Sequence, residues 1–267
     1  MTDDRIPEYI GQAILTSRLE VCSGLHIGAG KDTIEIGGID NPVVKTPAGD
    51  PYIPGSSLKG KLRFLLEWAF GKVTANGKPW DGGQNNYDPD DPILRIFGTP
   101  AKKEDWAAGP TRLLMRDAML DPEWRVKTLN AGRELTEAKT EVTIDRIAGK
   151  AAHNIGARQM ERVPPGAGFN FEAAFRLYAV DDDKGQRDRE CLAWLIQGLD
   201  LLEQDALGGS GSRGYGRVKF RELKLKGPSG DDVRLDGNKF MFRDHLFSKA
   251  SPSELILKAV EQALGGS

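Results

Sequence analysis

Two clusters in this 267-residue chain hold the residue types that bind phosphate. The first is Gly55-Ser56-Ser57-Leu58-Lys59-Gly60-Lys61, where a turn opens a helix and lysines follow at once. Amides at a helix start lack intrahelical partners and carry the positive end of the helix dipole, so they attract anions. The spacing satisfies G-x-x-x-x-G-K. However, Leu62 stands where a nucleotide-hydrolysing loop needs Ser or Thr to reach Mg2+, and 50–54 is not a buried strand. Nucleotide hydrolysis is therefore set aside. An anion site backed by Lys59, Lys61 and Arg63 stays open beside the plainer reading of a solvated face. The second cluster is Gly209-Ser210-Gly211-Ser212-Arg213-Gly214. It fits G-x-G-x-x-G, but a helix precedes it and a strand follows, the reverse of a dinucleotide fingerprint. Five glycines fall between 208 and 216, and six basic residues against one acid, Glu222, between Arg213 and Lys226. A backbone bared of side chains beside positive charge suits a phosphate chain better than a plain strand corner. Asp40, ahead of Asn41-Pro42, is by itself a turn former.

The elements that must position these clusters follow from hydrophobic period. Ala13, Leu15, Ser17, Leu19 and Val21 alternate as a strand, and Gly24, Gly28 and Gly30 then break it into a loop around His26. A helix is predicted from Pro54-Gly55-Ser56-Ser57, with Ser as its cap and Gly71 as its stop. Its face is Leu58, Leu62, Leu65, Leu66 and Ala69. Ile93 to Phe97 is a short apolar piece, and Arg112 to Leu120 the next strand. Phe169, Phe171, Ala173, Phe175 and Leu177 alternate in a third strand, their rings reading as core rather than base-stacking groups. A helix with Cys191, Leu192, Leu195, Ile196, Leu199 and Leu202 on its buried side runs to Gly208-Gly209. A strand at 216–225 and a helical segment at 253–264 close the chain. Strand, helix, strand, strand, helix, strand is an α+β, ferredoxin-like order with helices on one face of an antiparallel sheet. It implies one domain with a core at about 10–70, 112–120 and 168–226. Insertions occupy 71–111 and 121–167, and an extension 227–267.

Composition narrows the classes. Gly is 32 of 267 residues, about 12% against a typical ~7%. The 37 basic and 39 acidic residues leave a net charge of −2, which excludes a globally basic nucleic-acid binder but not a local basic strip. Two distant cysteines, Cys22 and Cys191, give neither a disulfide framework nor a Cys-rich zinc site. The start at Met1–Arg5 lacks the features of a signal peptide, and no run is long enough to span a membrane. A cytoplasmic protein is expected.

Taken together, Gly24–Gly28, Gly38–Val43, Ile53–Arg63, Glu141–Arg146, Arg158–Arg162 and Leu207–Val218 resemble the repeat-associated mysterious protein (RAMP) superfamily. Within it they most resemble the repeating backbone subunit of type III-A CRISPR complexes, over about residues 10–226. The resemblance implies a modified RNA-recognition-motif core. It makes 121–167 a β-hairpin thumb that wedges into the guide–target duplex. It also implies copies stacked head-to-tail along a guide RNA, with a target RNA, a large polymerase/cyclase subunit, a small subunit and capping RAMP subunits as partners. It assigns Ser56, Ser57, Lys59, Lys61 and Arg63 to guide phosphates, and His26 to the RNA-facing loop. Arg158, Gln159 and Arg162 fall to the thumb base, and Gly209, Gly211, Ser212 and Arg213 to the glycine loop. Asp40 becomes the catalytic residue of an endoribonuclease, holding Mg2+ or Mn2+ once target RNA is present or orienting a 2′-hydroxyl. The alternatives are a non-cleaving scaffold, a type III-B (Cmr) backbone subunit, and a phosphate-binding enzyme of another class.

Overall fold

A computed structural model describes residues 6–30, 41–83, 88–99, 109–152, 157–228, 232–235 and 250–265. The alternation at 13–21 belongs to a longer strand, β1 (Glu8–Val21), whose Ala13, Leu15, Leu19 and Val21 are buried. It pairs antiparallel with β7 (Gly168–Ala179) on one side and β8 (Val218–Lys226) on the other. β2 (Tyr52–Ile53), β3 (Leu113–Met115), β4 (Ala118–Leu120) and β9 (Asp232–Arg234) complete the sheet in the order β2-β4-β7-β1-β8-β9, with β3 also on β7. Counting core strands alone gives fourth, first, third, second, all antiparallel, which is the ferredoxin-like arrangement.

Helices α1 (Gly55–Phe70) and α4 (Gln186–Gln204) lie on one face of the sheet. They run antiparallel to each other. Lys61 meets Asp205, a Cβ on Gly198 would press on Leu66, and Phe70 meets Trp194 edge to face with ring centres 5.3 Å apart. Leu58, Leu62 and Leu66 of α1 and Leu192, Ile196 and Leu199 of α4 share one core with Phe169, Phe171 and Phe175. Each such side chain contributes about 1.5–3 kcal/mol on leaving water.

Local chemistry shifts several expected boundaries. The α1 cap is Pro54, and neither serine caps the helix; Ser56 and Ser57 sit inside its first turn, while Asp117 accepts the Gly55 amide at 2.7 Å. Gly71 does stop the helix, at φ 67°. The expected strand at 112–120 is split into β3 and β4 around Arg116-Asp117, where that carboxylate turns toward α1. Ile93–Phe97 is helical: α2 (Pro92–Phe97) is capped by Asp91, which accepts from the amides of Ile93 and Leu94. Residues 121–167 hold α3 (Pro122–Asn130) and a separate hairpin, β5 (Glu137–Glu141) with β6 (Arg158–Arg162). The last helix is α5 (Glu254–Leu264).

Candidate nucleic-acid interface

β1 ends at Val21, β7 begins at Gly168, α4 ends at Gln204 and α1 begins at Gly55, so the loops that follow or precede them gather at one end of the sheet. There the loop after β1 and the glycine loop lock together. The Gly209 amide donates to the His26 carbonyl at 2.9 Å, and the Gly216 amide to that of Gly24 at 2.9 Å. Gly208 adopts φ 77°, and a Cβ there would overlap the His26 carbonyl. No other residue type fits that crossing. Beyond it, Gly211–Arg213 form one turn of 3-10 helix between Ser210 and Gly214, both left-handed. Ser212 and Arg213 are exposed on its outside.

His26 acts as a bracket within the loop. Its ring is 8% exposed. Nδ1 lies 2.7 Å from the Glu161 carbonyl, which can only accept, so Nδ1 carries the proton. Glu161 is itself buried and joins three segments. It accepts from the Val43 amide at 2.8 Å, from Lys45 Nζ at 2.6 Å and from Thr136 Oγ1 at 2.6 Å, while its own amide donates to the Asn41 carbonyl at 3.0 Å. Burial pushes its carboxyl up, but the bonds from Lys45, Thr136 and Val43 outweigh that and hold it below its ordinary value.

The hairpin leans on the glycine loop through Tyr215. Lys139 Nζ sits 4.5 Å and the Arg162 guanidinium 5.2 Å from its ring centre. Arg162 is fixed further by Glu137 at 2.7 Å, and Arg213 reaches Glu141 at 3.2 Å. Burial, then Glu141, pushes the Tyr215 hydroxyl up. Arg162, Arg213, Gly209, Gly211 and Ser212 are thus brought into one surface with the His26 loop. Arg158 and Gln159 lie exposed on β6 beside it.

The α1 residues divide. Ser56 is exposed, Ser57 and Lys59 half-buried, all at this end of the molecule. Burial and then the charge of Arg63 lower the Lys59 ammonium below its ordinary value. Lys61 pairs with Asp205 at 2.9 Å, tying α1 to the stretch before the glycine loop. Arg63 turns away instead: it donates to Glu67 at 2.7 Å, to the Gly98 carbonyl at 3.1 Å and to the Trp80 carbonyl. It clamps the 71–111 insertion rather than facing the loops. Asp40 lies outside the described residues. Among those described, no group of three His, Cys, Asp or Glu stands close enough to hold a metal. Glu161, which touches Asn41 through the backbone, has both oxygens engaged. The described residues therefore do not by themselves make a cage for Mg2+ or Mn2+. Sequence reasoning passed over Lys45, Lys139, Tyr215 and the joining role of Glu161; the Gly-Tyr-Gly run at 214–216 was the one visible signal.

A profile of the RAMP superfamily matches residues 18–219, the span from β1 through the glycine loop into β8. The chain belongs to the RAMP superfamily. This RAMP chain is 43% identical over 219 residues to the CRISPR system Cms endoribonuclease Csm3 of Methanocaldococcus jannaschii, covering 80% of this chain and 81% of that one. It is 40% identical over 210 residues to the protein of the same name from Streptococcus thermophilus, covering 78% and 87%. Among solved structures it is similar to a chain of a Csm3-Csm4 subcomplex in the type III-A CRISPR-Cas interference complex, at TM-score 0.53 and 28% identity over 97% of this chain and 99% of that one. No helix of the described residues is long and apolar enough to cross a membrane.

Proposed function

We propose that this chain is the guide-RNA-binding backbone subunit of a type III-A CRISPR effector and cleaves target RNA within it, in the cytoplasm. The observation that carries the reading is its identity of 43% and 40%, over about four-fifths of its length, to relatives named endoribonuclease Csm3. The site's geometry supports it. The exposed start of α1 at Ser56, Lys59, the glycine loop and Arg213 offer donors to a phosphate chain. Such a surface suits a protein that must serve many guide sequences. The hairpin beside it is the thumb of this reading. Other subunits of the complex, and further copies of this chain stacked head-to-tail, are its partners.

Asp40 is the cleaving carboxylate in this reading, and Mg2+ or Mn2+ enters with the target RNA. Asn41, the next residue, is held by the Glu161 amide and Val43 by the Glu161 carboxylate, so the segment leaving Asp40 is anchored. Asp40→Ala in the assembled complex is expected to abolish target cleavage at regular spacing while guide and target still bind. Unchanged products on a denaturing gel would overturn the assignment. Cleavage that survives a chelating agent would overturn the metal alone.

A further inference from the structure

On α1, Ser56, Gly60, Phe64 and Trp68 follow one another at intervals of four and form one exposed row. Phe64 is 48% and Trp68 60% exposed, and their rings meet edge to face at 6.4 Å. Two large rings on the solvent side of a helix contribute nothing to its core, which is built from Leu58, Leu62 and Leu66. Lys61 Nζ lies 4.9 Å from the Phe64 ring centre, and Lys59 stands one turn nearer the helix start with no ion-pair partner among the described residues. The row begins at the exposed Ser56, in the first turn of the helix and close in sequence to Lys59. Phe64 and Trp68 lie roughly 12 and 18 Å further along the axis. Lys61, which also pairs with Asp205, beside the Phe64 face and Lys59 nearer the helix start fit a polyanion that carries its own flat rings.

We propose that Phe64 and Trp68 are a base-stacking platform for single-stranded RNA whose phosphates are held at the start of α1. The inference rests on the phosphate-binding reading of that helix start and adds a base contact to it. Stacking tolerates any base, because every base presents a π face, so the platform adds affinity without sequence preference. Gly60, with open space around its Cβ position, lets the sugar-phosphate chain pass close to the helix between the phosphate site and the rings.

The test compares two labelled oligonucleotides of equal length and charge bound to the full chain, one of uridines and one with abasic riboses at its internal positions. The intact chain is expected to prefer the uridine strand. Phe64→Leu with Trp68→Leu is expected to cut that preference at least about fivefold with little change in abasic binding. Trp68→Phe, with Phe64 kept, is expected to retain most of it. Both rings are half exposed, so the double variant should melt near the parent, and melting is measured alongside. No preference for bases in the parent, or an equal preference in the double variant, overturns the platform. A double variant that changes only the chain's sedimentation points to a protein-docking face and overturns it equally. Lys59→Ala is read on the abasic strand. Unchanged abasic binding there overturns the phosphate reading, whereas lost base preference with Lys59-dependent abasic binding supports both.

Discussion

Lys59 and Arg63 stand one helical turn apart and look interchangeable in sequence, yet their surroundings separate them. Lys59 has no ion-pair partner among the described residues and sits at the helix start. Arg63 spends its fork on Glu67 and two carbonyls of the insertion. Lys59→Ala should therefore weaken RNA binding for every sequence alike and lower the slope of log affinity against log salt by about one. Arg63→Ala should leave that slope unchanged and lower stability by on the order of 1–3 kcal/mol, because it strands a carboxylate and carbonyls that it now satisfies. Arg63→Lys should rescue little, since an ammonium cannot reproduce the fork. Salt-dependent binding titrations and urea melts separate the two outcomes, and a reduced slope for Arg63→Ala would contradict the clamp. The sequence suggests an anion site across 55–63 and does not reveal this division. The partners of Arg63 at 80 and 98 are set by how an insertion folds back, and no local period records that. The burial of His26 is hidden from sequence for the same reason, its Nδ1 being bonded to the carbonyl of Glu161, a residue 135 positions away.

At the scale of elements, periodicity reveals the long strands and helices well and the short ones poorly. β7 and α4 have runs long enough to show alternation or a helical face. α2 has six residues, too few to tell a helix from a strand, and is formed by its Asp91 cap. The expected strand at 112–120 breaks because Asp117 is needed at the start of α1, a contact 62 positions away. The hairpin follows the same logic. Its existence is implied by the resemblance, but its attachment depends on Glu161 meeting Val43, Lys45 and Thr136. The Glu161 carboxyl is held below its ordinary value in the folded chain. Its stabilising effect is thus fully present above the unfolded value of about 4.3 and is lost as pH falls through the lower folded value. Glu161→Gln should lower the melting temperature near neutral pH, by an amount corresponding to on the order of 2 kcal/mol. The gap between parent and variant should close as pH falls from about 5 toward 3. A gap that stays constant over that range would show that the charge on Glu161 does not hold the hairpin.

On the scale of the whole molecule, the sheet has two ends with different duties. The loops that the proposed function assigns to RNA lie beyond Val21 and before Gly168. The opposite end, where Glu8 pairs with Ala179, is about 40 Å away along β1 at ~3.3 Å per residue. At that far end Asp188, in the first turn of α4, accepts from Arg95 Nε at 3.0 Å and from its terminal nitrogen at 2.7 Å. Its other oxygen takes Arg112 Nε at 2.8 Å and the Tyr178 amide at 2.8 Å. All three charged side chains are 0% exposed. One carboxylate thus joins α2, the approach to β3, the end of β7 and the start of α4. Nothing in the sequence pattern marks this lock, since two arginines and an aspartate at 95, 112 and 188 read as surface charge until the fold buries them. Removing the carboxylate would leave two guanidinium groups buried with too few acceptors, so Asp188→Asn should destabilise the chain by about 3–5 kcal/mol. Because the lock is at the far end, the variant that remains folded at low temperature should bind RNA with the parent's salt slope and affinity. Urea unfolding and RNA titration on the same preparation test both halves. A loss of under about 1 kcal/mol would deny the lock its role. An RNA affinity that falls while the chain is still folded would show that the two ends are coupled, and that the sheet transmits strain from its buried charges to its binding loops.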